Sequence, residues 1–596
     1  MPGRVAVLGG VRPGHRPYPT IMGRPAGSGH ALSLPVPDDV TGEFRRHPAA
    51  GSGNPDPGVA TAPGTAPRPR KATVGHVRDH PISTGPDPAR AAVVDPLFLA
   101  YPMRSLADAA LTRAREAGAA HADFRFERIR SAAWRLRDAQ SAGSADDVLL
   151  GFAVRVVVNG SWGFAAGVDL TPDAAATVAE QAVAVARLSG QVSRAAGGVD
   201  EVELADEPVH AEETWVSSYE VNPFDVPDGE KTAVLVDFSR RLLAAPGVSH
   251  VDASLLTVQE NKFYADTAGT VTTQQRVRLH PVLEATSVDE RSGMFDTMRT
   301  LAPPVGRGWE YLRGIGWDFD AELAGLPELL AEKMAAPSVQ AGRYDLVVDP
   351  SNLWLTIHES IGHATELDRA LGYEAAYAGT SFATPDRLGT LRYGSPIMHV
   401  TGDRTVGHGL STIGFDDEGV AAQSWDLVRD GILVGYQLDR RTARLAGLTR
   451  SNGCAFADSP AHVPVQRMAN VSLQPSFDGP DTEALISAVD DGLFVVGDRS
   501  WSIDMQRYNF QFTGQRFYRI RGGRLAGQVR DVAYQAATTQ FWGSLEALGG
   551  PQTYVLGGAF NCGKAQPGQT AAVSHGCPSA LFRDIAILNT RQEAGR

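Results

Sequence analysis

The sequence predicts an α+β protein in two parts. Residues 96–340 read as an N-terminal α+β domain, with helices on a mostly antiparallel sheet. Residues 341–596 read as a mainly β C-terminal domain that carries one chemically loaded helix. Three observations predict this. Alternating strands are interspersed with helical periods in the first part. Asn159-Gly160 and Ala268-Gly269 separate strand-like runs as hairpin turns do. Beyond residue 341 the helical period occurs once, and strand–Gly–strand segments follow.

Residues 1–95 are dense in Pro, Gly, Arg and Asp, as in SGNPDPGVATAPGTAPRPRK. Such a segment has too little apolar surface to offset its ordering entropy, so it is expected to be disordered, upstream of the internal Met103. Ser105–Ala117 reads as a helix, with Ser105 as N-cap, Asp108 at the capping-box position and Gly118 beyond its end. Asp123-Phe-Arg-Phe-Glu127 alternates as a half-exposed strand would. The runs 151–158 and 162–165 flank Asn159-Gly160. Thr171-Pro172-Asp173 then opens a helix expected to stop at Gly190, and a further helix spans about Lys231–Leu243. More strands follow between residues 251 and 287.

In the second part Tyr344–Val348 looks like a strand. Asp349 offers an N-cap oxygen, and Pro350 suits the first helical position. Pro350, Leu353, Trp354, Ile357 and Ile361 share a face, so the helix is buried on that side. Leu427–Gly435 and Tyr518–Gly527 resemble one another as strand, Gly turn, strand, a repeated hairpin rather than a solenoid. The chain ends with a Gly-rich stretch, 554–569, and a last strand, Asp584–Leu588.

The helix contains His358-Glu359-Ser-Ile-Gly-His363. In the H-E-x-x-H zinc pattern the histidines lie one turn apart. Here they are five steps apart, which in a regular helix splays them by roughly 140°. A π-bulge restores a shared face, and Gly362 has no Cβ to oppose it. The alternative is two core histidines, each satisfied by a hydrogen bond. Cys562 lies in what reads as a Gly-rich loop between strands, and two His with one Cys make a sound zinc set with a fourth position open. Glu359, beside His358, is placed to take a proton from water. Cys454 and Cys577 read as buried hydrophobes, with Cys577 the runner-up ligand. Glu366 has three readings: a carboxylate orienting a ligand imidazole, a ligand itself, or an exposed charge. Asp416-Asp417-Glu418 lacks EF-hand spacing and reads as a solvated or structural turn.

A net charge of −13 argues against nucleic acid and anionic membranes as partners. Three scattered cysteines make no disulfide framework, and neither a signal-peptide core nor a long apolar run is evident, so the chain reads as cytoplasmic.

His358-Glu-Ser-Ile-Gly-His363 with Glu366-Leu-Asp368 resembles the H-E-x-x-x-H segment of the TldD family of bacterial metallopeptidases. So do Gly414-Phe-Asp-Asp-Glu-Gly419, Arg467-Met-Ala-Asn470, Asn561-Cys-Gly-Lys-Ala-Gln-Pro-Gly-Gln569, and, earlier, ADFRFE, GFAVRVVV and SWGFAA. The likeness runs from about residue 104 to about 589. It implies a zinc-type ion held by His358, His363 and Cys562, with Glu359 as catalytic base. It also implies a paralogous TldE (PmbA-type) subunit or a second copy as partner, and unfolded or leader peptides as substrates. Such peptides would be gripped by strand addition. The N-terminal segment and His575-Gly-Cys577-Pro depart from the family pattern.

Overall fold

Seven strands form the first sheet of the computed structural model, which describes residues 93–198 and 201–595. They are β1 (His121–Arg137), β2 (Gln140–Val158), β3 (Ser161–Gly167), β4 (Glu213–Val216), β5 (His250–Asp266), β6 (Val271–Asp289) and β7 (Met294–Arg299). The order is β3-β2-β1-β5-β6-β4, with β7 also on β6, and only β4 runs parallel to its neighbour. Asn159 and Gly160, both at positive φ, make the β2–β3 turn. Because side chains alternate across a strand, β1 sends Phe124, Phe126 and Trp134 to one face and Arg125 and Glu127 to the other.

The apolar face is covered twice. Helices α2 (Met103–Glu116) and α3 (Pro172–Ala195) close one core around Phe124, Phe126, Phe152 and Val154; the short α1 (Pro96–Leu99) adds Phe98. Helices α4 (Asp228–Leu243) and α5 (Phe319–Ala335) close a second around Trp134, Leu255 and Leu283. The expectation of disorder for residues 1–95 falls outside the described residues except at its end. There Val94 is buried, and Asp95 caps α1 and bonds Arg128 and Gln259.

Three local expectations are corrected. The first long helix begins at Met103 with Pro102 at the N-cap, and the Ser105 hydroxyl donates to the Pro102 carbonyl instead of capping. Helix α3 does not stop at Gly190 but runs on to Ala195; Gly190 is buried where the helix crosses Ser161. The polar face of β1 is not half-exposed, since Asp123, Arg125 and Glu127 are all buried.

What buries them is the C-terminal part. It opens with β8 (Gly342–Val348) and α6 (Pro350–Ile357). Next come β9 (Val400–Asp403), β10 (Ser424–Arg429), β11 (Ile432–Leu433) and β14 (Asn470–Leu473), in the order β11-β10-β9-β14, and the small pair β12 (Ala455–Phe456) and β13 (Val465–Gln466). The rest are β15 (Asp491–Ile503), β16 (Asn509–Arg521), β17 (Arg524–Val529), β18 (Val532–Ala537), β19 (Leu545–Leu548), β20 (Val555–Lys564), β21 (Gln569–Cys577) and β22 (Ala580–Asn589). The order β15-β8-β22-β18-β16, with β15 also paired to β16, closes a barrel. The two similar hairpins are β10–β11 and β16–β17; they sit in different sheets, so their likeness is local.

The turn Gly414–Gly419 is the part of this half that meets the charged face. Asp417 takes Lys262 Nζ at 2.7 and 3.0 Å and Arg125 at 3.4 Å, while Glu418 takes Arg155 at 2.9 Å. Asp416 accepts backbone N–H groups of Glu418, Val420 and Ala455. All three acids are buried, so the turn is structural and not solvated. Among the described residues no helix is long and apolar enough to cross a membrane.

Candidate metal centre

Helix α6 begins as its sequence dictates. The Asp349 carboxylate accepts the Ser351 N–H at 2.9 Å, and Pro350 fills the first position. At His358 the helix widens into a π-turn, His358–Gly362, the bulge that the five-step spacing requires. The widened turn is held from outside. Trp542 Nε1 donates to Ser360 Oγ at 2.9 Å, and the Tyr393 hydroxyl donates to the Ser360 carbonyl. Gln437 Nε2 donates to the Gly362 carbonyl at 2.7 Å, and Thr365 Oγ1 to the Ile361 carbonyl at 2.8 Å. The last three of these bonds satisfy carbonyls that a π-turn takes out of the regular ladder. Gly362 has ordinary helical torsions; its missing Cβ makes room for the Met468 sulfur.

The bulge turns His358 and His363 to a shared side, with ring centroids 4.7 Å apart. Cys562 joins them from β20. It sits in the strand, at an irregularity in the β20–β21 register, and not in a loop as the glycines around it implied. Arg467 holds it by donating to its carbonyl, and Lys564, two residues on, pairs with Glu366 at 3.1 Å and Asp368 at 2.8 Å. One ligand-type atom from each of His358, His363 and Cys562 lies within 4.8 Å of the others, and all three residues are buried.

The hydrogen bonds decide which ring atoms are free. His575 Nδ1 lies 2.8 Å from the Val471 carbonyl, which only accepts, so it carries the proton. His575 Nε2 is then an acceptor for His358 Nδ1–H at 2.7 Å, leaving the lone pair of His358 on Nε2. His363 Nδ1–H donates to Glu366 at 2.8 Å, leaving Nε2, which faces Cys562 Sγ at 3.6 Å. Burial lowers the pKa of His358, His363 and His575 alike, so all three favour the neutral form. Burial works against the Cys562 thiolate while the Arg467 guanidinium works for it, and its pKa lies below the ordinary value. Two neutral imidazole nitrogens and an acidified thiol are the donor set a zinc-type ion takes, with room for a fourth ligand.

Glu366 is buried, so it is not an exposed charge, and its carboxylate orients His363. Burial disfavours its charge, yet Lys564, His363 and Arg369 hold its pKa well below the usual range. Glu359 is buried beside the set and accepts Arg507 Nη1 on Oε2 at 2.8 Å. Cys577 turns its sulfur toward the Pro350 carbonyl at 3.7 Å, outside the set, and Cys454 is buried elsewhere.

With the geometry in view, the chain can be set beside known proteins. Residues 341–589 match the PmbA/TldA metallopeptidase C-terminal domain and residues 122–186 match PmbA/TldA metallopeptidase domain 1. The chain belongs to the TldD/PmbA family of metallopeptidases. A metalloprotease of Methanothermobacter thermautotrophicus is 26% identical over 475 residues, covering 79% of this chain and 96% of that one. A zinc metalloprotease TldD homolog of Saccharolobus solfataricus is 23% identical over 272 residues, 46% of this chain and 57% of its own. In fold, TldE from Thermococcus kodakarensis superimposes with a TM-score of 0.59 at 14% identity, covering 81% of this chain and 99% of its own.

Two residues at this TldD/PmbA centre escaped the sequence reading. His575 lay in a stretch noted only for departing from the family pattern. Arg507, 148 residues from Glu359, sits at positive φ in the β15–β16 connection and carried no signal at all.

Proposed function

We propose that the chain is the catalytic, TldD-type subunit of a zinc peptidase that cleaves unfolded or leader peptides. The observation that carries this is the convergence of one ring nitrogen from each of His358 and His363 with Cys562 Sγ, beside Glu359, with Nδ1 of each imidazole engaged in a hydrogen bond. A zinc ion bound there supplies Lewis acidity, acidifying water and polarising a peptide carbonyl. Glu359 keeps Oε2 on Arg507 and, among the described residues, accepts no hydrogen bond on Oε1. Oε1 is therefore the atom that takes the proton of the attacking water and passes it to the leaving amine. Arg507 holds this carboxylate in place.

The substrate class is supported by β20. Among the described residues it is hydrogen-bonded to one neighbour, β21, and it carries Cys562, so an extended peptide added along its other edge would arrive at the candidate ligands. A partner of the TldE kind is supported by the likeness to TldE from Thermococcus kodakarensis.

Glu359→Gln tests the reading, because it keeps shape and hydrogen bonding but not the base. Metal content is expected to survive while cleavage of an unfolded protein falls by about 10²–10⁴-fold. His358→Ala is expected to lose metal and activity together. Full activity in Glu359→Gln would end this mechanism, and loss of its metal would place Glu359 in the coordination shell.

A further inference from the structure

His575 is a buried imidazole in a stretch that departs from the family pattern, and its position is over-determined. On either side of it, Ser574 N–H donates to Asn470 Oδ1 at 3.3 Å and Gly576 N–H to Ser472 Oγ at 2.9 Å, so β14 fixes the backbone of β21 there. The Trp354 ring lies nearly parallel to the His575 ring, 9° apart in plane with centroids 6.3 Å apart. Val471 takes the Nδ1 proton. The remaining ring nitrogen faces His358 Nδ1 at 2.7 Å, with the two rings at 75°. A buried backbone carbonyl thus dictates the tautomer of His575, which dictates the tautomer of His358. Glu366 performs the same service for His363, so the two imidazoles are oriented by different chemistry, one by a carboxylate and one by a neutral histidine.

We propose that His575 is a positioning residue of the metal centre: by accepting His358 Nδ1–H it fixes the ring plane of His358 and leaves Nε2 as the atom that meets the ion. This rests on the metal reading above. It adds no charge to the site, so the ion sees a neutral imidazole on the His358 side and a carboxylate-backed one on the His363 side.

Three variants separate the roles. Asparagine can keep the donor to Val471 but is too short to reach His358. Glutamine can reach His358 with an acceptor oxygen, and leucine makes neither bond. Zinc affinity is measured by competition with a chromophoric chelator on the full-length protein. Cobalt absorption then reports ligand geometry and the thiolate-to-metal band, and metal-free unfolding midpoints serve as the folding control. His575→Asn and His575→Leu are expected to bind zinc about 10–100-fold more weakly and to shift the cobalt spectrum. His575→Gln is expected to stay within a few-fold of wild type. If His575→Leu does not fold, the Asn and Gln pair decides.

Wild-type affinity and an unchanged cobalt spectrum in His575→Asn would overturn the proposal, as would equal losses in the Asn and Gln variants. A wild-type protein that binds neither zinc nor cobalt would overturn the metal reading itself, and this inference with it.

Discussion

Each candidate ligand in this centre is held by a neighbour of a different kind: His358 by His575, His363 by Glu366, and Cys562 through its carbonyl by Arg467. The thiol is the member without a sequence partner, since it comes from a strand 199 residues beyond His363. Cys562→Ala is therefore the substitution that isolates its contribution. It removes the sulfur while leaving the carbonyl on Arg467, so the strand keeps its place. Metal stoichiometry is expected to fall from about one per chain to a small fraction at matched free zinc. Cys454→Ala, remote from the set, is expected to leave stoichiometry unchanged. Elemental analysis after exhaustive buffer exchange reads both; full occupancy in Cys562→Ala would remove the thiol from the ligand set. The histidines were legible because their spacing, combined with the roughly 100° turn per residue of a helix, called for a bulge, and the bulge is there. His575 and Arg507 were not legible, because nothing local to either residue says what it faces across the fold.

At the scale of elements, the β-sheet of the N-terminal part carries a buried charge layer on its second face. Glu260 on β5 receives Arg276 at 2.7 Å and Arg278 at 3.0 Å from β6. Burial opposes its charge, but Arg276, Lys262 and Arg278 together hold its pKa far below the usual carboxylate range. A carboxylate depressed in the folded state contributes stability that is full above its ordinary value near 4.5 and is lost as pH falls toward the depressed one. Glu260→Gln leaves two guanidinium groups buried without their acid, which costs about 3–5 kcal/mol at neutral pH. Urea unfolding of the metal-free proteins is expected to show that gap at pH 7 and a narrower one below pH 4.5. A gap independent of pH would show that Glu260 acts through packing alone. The alternation of Asp123–Glu127 revealed that β1 has two faces, and that was correct. It did not reveal that the polar face is covered, because a period of two carries no information about the neighbour.

For the molecule as a whole, the acidic turn Gly414–Gly419 joins the charge layer to the metal-bearing half. Asp417 neutralises Lys262 and also accepts the Ala457 N–H at 2.7 Å. Asp417→Asn keeps the shape but leaves Lys262 and Arg125 short of a counter-charge, with an expected loss of about 3–5 kcal/mol. An unfolding midpoint equal to wild type would show the two halves to be held together by other contacts. The turn was noticed in the sequence, but its partners on β1, β2 and β5 lie in the other half and could not be. One feature of the centre bears on folding. Its donors come from a helix near the start of the C-terminal part and a strand near its end, so a bound ion would tie together a long stretch of chain that the unfolded polypeptide leaves open. Ion and folded chain then stabilise each other, by about 2.7 kcal/mol at a free metal concentration a hundred times the dissociation constant. Unfolding temperature should climb with buffered zinc in the wild type and stay flat in His358→Ala. Zinc supply would thus set how long each copy survives in the cell as well as whether it works.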